Sequence, residues 1–73
     1  NNALFEAWAV NLGKLTEKQV SVLTQNGEVL KEEFIELMSN PEFNSAVSQG
    51  TGSPKRVNIR FEEIKRIIQE VLT

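Results

Sequence analysis

Pro54-Lys55-Arg56-Val57-Asn58-Ile59-Arg60-Phe61-Glu62-Glu63-Ile64-Lys65-Arg66-Ile67-Ile68-Gln69-Glu70-Val71-Leu72 is the stretch that decides the fold of this 73-residue chain. Val57, Phe61, Ile64, Ile68 and Val71 recur in steps of four, three, four and three. That spacing keeps side chains on one face of a helix with 3.6 residues per turn. Ile67 and Leu72 widen the stripe. Ser53-Pro54 offers a cap and a first helical residue whose missing N–H costs nothing, so the spacing predicts one helix from about Pro54 to Leu72. This phase puts Arg60 inside the apolar stripe and Ile59 outside it. A start at Asn58, with Val57 packing as extended chain, relieves neither problem. The long helix is preferred, with an irregularity expected near Val57 to Ile59.

Upstream of it, every segment reads as helix. Ala3 to Leu12 carries Leu4, Phe5, Trp8 and Leu12 at helical spacing, with Ala7, Ala9 and Val10 widening the face. Phe5 and Trp8 are therefore expected in the core, and Gly13 is expected to end the helix. Thr16 and Gln19 form a capping box for a short helix to about Thr24, with Val20 and Leu23 inward. Asn26-Gly27 is expected to supply a left-handed stop. From about Glu28 to Ser39, Leu30, Phe34, Leu37 and Met38 make a stripe opposite Glu28, Glu32, Glu33 and Glu36. Asn40-Pro41 restarts the chain as cap and first residue, leading Phe43, Ala46 and Val47 into a short helix. The expectation is an all-α fold: a compact, non-parallel bundle of four to five helices, three of them short, ending in a long amphipathic helix.

Composition narrows the chemistry. The chain has no Cys, no His and no Tyr. Without Cys there is no disulfide framework and no thiolate metal site. Without His the commonest general base, zinc ligand and pH switch are missing together. No apolar run approaches the roughly 20 residues that span a bilayer, and the N-terminus has no signal-peptide pattern. The chain opens without Met on an apolar, helix-favouring segment. Residues 1–73 are therefore read as a single helical domain cut from a larger, cytoplasmic protein. A domain this small buries only about 60% of the surface its unfolded chain exposes. Part of the first helix's apolar face is thus expected to pack on the rest of the parent chain, or to drive a homodimer.

Charge is unevenly spread. Residues 1–48 hold three Lys or Arg against seven Glu, and residues 49–73 hold five against three. The segment Gly50-Thr51-Gly52-Ser53-Pro54-Lys55-Arg56 is the one stretch of loop composition, and it opens onto the long helix. Free amides at a helix N-terminus favour anions, and Lys55, Arg56 and Arg60 add charge. Thr51, Gly52, Ser53, Lys55, Arg56 and Arg60 are accordingly the candidates for an anion, nucleic-acid or interdomain contact. The spacing of a phosphate-binding loop, Gly-x-x-x-x-Gly-Lys-Ser/Thr, is not met. No aromatic residue interleaves with the charges, which disfavours single-strand binding. Basic residues in a first helical turn oppose the helix dipole; pairing with the acidic third helix, or solvation, is the simplest account of them. Arg60, if inside, needs a carboxylate or backbone carbonyls, and a structural salt bridge is the preferred expectation. The acids of the third helix read as a solvated face with favourable charge near its N-terminus. No triad, Glu-x-x-His pair or paired-carboxylate motif can be assembled, so no catalytic, cofactor or metal site is assigned.

The segments Phe34-Ile35-Glu36-Leu37, Pro41-Glu42-Phe43 and Gly50 through Glu62 resemble the tail of a family of large bacterial proteins. These have an N-terminal ParB/sulfiredoxin-like domain and include GmrSD-type, modification-dependent restriction proteins. Thr51, Gly52, Val57, Arg60 and Phe61 match the Thr-Gly and Val-x-x-Arg-Phe pattern of that tail. The resemblance implies a parent with NTP-dependent, nuclease-type activity located elsewhere: the Asp-Gly-Gln-Gln-Arg type motif of the ParB-like part is absent here, and the family's nuclease domains use His. It carries no catalytic residue onto this chain. The expectation is a non-catalytic accessory helical domain of a larger bacterial protein, concerned with DNA restriction or defence. The alternative is a small nucleic-acid-binding module using Lys55, Arg56, Arg60, Lys65 and Arg66, with DNA as partner.

Overall fold

A computed structural model describes residues 2–48 and 52–73. Five helices follow in order: α1 (Asn2–Gly13), α2 (Glu17–Gln25), α3 (Gly27–Met38), α4 (Pro41–Ser48) and α5 (Pro54–Leu72). No strand occurs among the described residues. The chain is an all-α bundle of 35 × 22 × 19 Å, and α5, about 28 Å long at 1.5 Å per residue, spans most of the long axis. Each of the other four helices packs on α5.

The caps explain the boundaries. The Thr16 hydroxyl accepts the Gln19 amide at 3.2 Å, and Gln19 Oε1 accepts the Thr16 amide at 2.9 Å, so the capping box closes in both directions. Asn40 Oδ1 accepts the amides of Glu42 and Phe43 at 2.9 and 3.2 Å, with Pro41 as first residue of α4. Between α2 and α3 a single residue intervenes. Asn26 has φ −111° and ψ 29°, which corrects the expected left-handed stop. Its amide donates to Val22 and Leu23, its carbonyl accepts from Leu30, and Nδ2 returns to the Val22 carbonyl. Asn26 thus closes one helix and opens the next, and Gly27 becomes the first residue of α3.

At α5 the long reading holds: the helix is continuous from Pro54. It starts on the main-chain bond from Val57 N–H to the Ser53 carbonyl at 2.9 Å, and the Ser53 side chain makes no capping bond. The expected irregularity near Val57 is absent, and Ile59 packs against the core instead of standing outside it.

Phe43, Ile64, Ile67 and Ile68 are fully buried and form the centre, with Ala7, Leu23, Leu37 and Val47 around them. Burying each large side chain is worth roughly 1.5–3 kcal/mol. On α1 the inner line is Ala3, Ala7 and Asn11, whose small side chains let the helix approach α5 closely. Trp8 packs at the core margin, its ring edge-on to Phe34 at 5.4 Å and 70°. Phe5 overturns its expected place in the core. It is 74% exposed, because α1 turns its small residues inward and the bulky Phe5 lies about 160° away around the helix from Ala7.

Candidate functional site

Of the six candidates on and after the loop, Thr51 lies outside the described residues. Gly52 is exposed, Ser53 half-buried, Lys55 exposed and Arg56 half-buried. Ser53, Lys55 and Arg56 come together along a groove of about 270 Å³ between α4 and the start of α5, but Glu42 lies in the same lining. That carboxylate weakens the groove as an anion site.

Arg60 is not part of that lining. The side chain is 5% exposed, and Nη1 donates to the Ala46 carbonyl at 2.9 Å. One contact that holds it is thus a backbone carbonyl, the second of the two kinds of partner a buried arginine at this position needs. Ala46 lies in the last turn of α4, whose final four carbonyls have no partner within the helix. α4 carries no basic residue in its own last turn. Arg60 therefore brings a cation from α5 to the negative end of α4, which answers both the orphan carbonyl and the dipole.

The remaining cations do not join a common patch. At roughly 100° per residue, Lys55 and Arg66 point opposite the buried stripe, while Arg56 and Lys65 flank it on different sides. Lys65 shares a pocket of about 170 Å³ with Lys14, Gln19 and Gln69, over the apolar side chains of Leu15 and Ile68. Arg66 is bound on its own helix, to Glu63 at 3.3 Å and Glu70 at 3.0 Å. Its pKa is pushed up, first by the hydrogen bond to Glu63, against the opposing effect of burial, and further by Glu70. Arg66 also borders Glu33 and Glu36 across a shallow pocket toward α3. Among the described residues, no group of three or more acids is arranged to hold a metal ion, and no helix is long and apolar enough to cross a membrane.

The feature that the residue pattern did not single out is an apolar groove of about 410 Å³, open to solvent, between α1, α2 and the start of α3. Trp8, Leu12, Val20, Leu23 and Leu30 line it, with Thr24 and Gly27. Leu12 and Val20 are themselves exposed, which corrects the inward place expected for Val20; of that pair Leu23 alone is buried. Phe5 precedes Trp8 and Leu12 by three and seven residues on α1, so the three stand in one row beside the groove. A second unmarked residue is Asn11, which is 7% exposed. Its Nδ2 donates to the Ala7 carbonyl at 2.9 Å and to the Phe61 carbonyl at 3.1 Å. The signal for it was present: an amide stands four residues after Ala7 on a helix otherwise nearly free of polar side chains.

Comparison of the chain with protein-family models, with curated proteins and with solved structures gives no match.

Proposed function

We propose that the chain is a non-catalytic accessory helical module of a larger bacterial protein, and that it works by presenting the α1–α2 face to another polypeptide surface. The observation that carries this reading is the 74% exposure of Phe5 beside the open apolar groove. Single exposed apolar residues are ordinary. A continuous row of Phe5, Trp8 and Leu12 merging with Val20 is a patch, and patches of this kind mark interaction sites. The resemblance to the tail of ParB/sulfiredoxin-like, GmrSD-type proteins supports a cytoplasmic setting in DNA restriction or defence. The parent's chemistry then lies outside these 73 residues.

A nucleic-acid-binding module is the weaker alternative. It would draw on Lys55, Arg56, Lys65 and Arg66, which do not share one face of α5, and Arg60 bonds to α4. A photo-crosslinking residue placed at position 5 of the full-length parent tests the docking reading. Covalent capture of a polypeptide segment is the expected result; a crosslinker that reacts with solvent alone would overturn it.

A further inference from the structure

We infer that the surface covering the α1 face is a second copy of this chain, paired α1 to α1 in antiparallel order about a two-fold axis near Ala9. This rests on the reading of the chain as a docking module and names its partner. A two-fold interface requires one patch to be both knob and hole. Here the knob, Phe5, and the hole, beside Leu12 and Val20, sit on one continuous surface. With the axis at Ala9, Phe5 of one copy lies level with Gly13 of the other, next to the end of the groove marked by Leu12. Ala9 is small and exposed, so the helix axes can approach closely at the centre. A Cβ placed on Gly13 would meet nothing within 4 Å, which leaves room for the incoming ring.

Charge favours the same order. Glu6 is the one charged residue of α1, and Lys14 follows directly after the helix. Antiparallel pairing carries Glu6 toward the Lys14 end of the other copy, whereas parallel pairing would bring Glu6 against Glu6. The area sets the strength. A standard interface takes about 800 Å² from each partner, about a sixth of the 4923 Å² that the chain exposes. One twelve-residue helix with the flank of α2 supplies less than that, which puts the dimer in the class of weak, transient interfaces and sets the test at concentrations from about 10 µM to 1 mM.

Sedimentation equilibrium of the 73-residue chain across that range tests the pairing. The mass is expected to rise from 8.2 kDa toward twice that value. Phe5→Asp should hold it at the monomer mass with unchanged helical circular dichroism, since Phe5 packs little in the monomer and an acid in the first turn suits the helix dipole. Register is read by oxidation. Ala9→Cys should form a disulfide-linked dimer, while Phe5→Cys should not, its two copies being roughly 12 Å apart along the axis. A monomer mass at 1 mM, or a dimer that survives Phe5→Asp, would overturn the inference. If the isolated chain stays monomeric while position 5 of the parent still crosslinks to polypeptide, the second copy is excluded and the docking reading stands. If position 5 captures nothing, that reading fails as well.

Discussion

Asn11 Nδ2 lies 3.1 Å from the main-chain carbonyl oxygen of Phe61, tying the last turn of α1 to the middle of α5. One residue earlier on α5, Arg60 reaches the Ala46 carbonyl of α4 at 2.9 Å. Two consecutive residues of one helix thus hold its neighbours by polar bonds within an otherwise apolar core. These bonds fix position and contribute less than the burial around them, since a net hydrogen bond is worth about 1 kcal/mol.

Asn11→Ala should cost about 1–2 kcal/mol in urea unfolding, because the Phe61 carbonyl keeps its helical partner and only the cross-link is lost. Asn11→Asp should cost more at neutral pH, where a buried carboxylate would face two carbonyl oxygens. The new acid would have a raised pKa in the folded state. Its penalty is therefore full at high pH and shrinks as pH falls through that raised pKa. Unfolding curves at pH 4.5 and 7.5 check the sign.

At Arg60 two substitutions separate charge from volume. Arg60→Met keeps most of the volume but removes the donor from the α4 carboxyl end, and should cost about 1–2 kcal/mol. Arg60→Ala also opens a cavity and should cost about 3–4 kcal/mol. Hydrogen exchange in α4 is the sensitive readout: its last amides should lose protection first in both variants.

Phe5 and Ile64 make a contrast within one chain. Ile64 is fully buried, so Ile64→Ala should destabilise by about 2–5 kcal/mol. Phe5→Ser should change the stability of the dilute chain by no more than about 0.5 kcal/mol, despite removing the larger side chain. Thermal unfolding at low micromolar concentration measures both.

Arg66→Ala should be nearly silent. Its bonds to Glu63 and Glu70 are exposed pairs at helical spacing, each worth about 0.3–0.5 kcal/mol. The same small loss should follow from raising the salt concentration on the parent sequence, which Arg66→Ala would then no longer show.

These contrasts also show what was legible before the fold was known. The boundaries were local, and so readable: Thr16 with Gln19, Asn40 with Pro41, and the stripe from Val57 to Val71 each depend on residues a few positions apart. The inward phase of Arg60 followed from that stripe. Its bond to the Ala46 carbonyl did not, because a carbonyl 14 residues away carries no side-chain signature. Phe5 was misplaced for a different reason. On a helix where Ala, Leu, Phe, Trp and Val occupy nearly every position, apolar periodicity does not choose a face. Close packing of Ala3 and Ala7 against α5 made the choice, and it sent Phe5 outward. Asn26-Gly27 carried the usual chemistry of a left-handed turn, but the next helix began at once and required Asn26 near right-handed geometry.

Hydroxyl-radical footprinting that compares Phe5 with Phe43 in the same molecules tests the central claim most directly. Phe43 is 1% exposed and Phe5 74%. In the dilute isolated chain, Phe5 should be oxidised rapidly while Phe43 stays protected. Within the parent assembly Phe5 should become protected too, with Phe43 unchanged. A Phe5 as protected as Phe43 in the dilute chain, or equally reactive in both states, would contradict an open apolar face that exists to be covered.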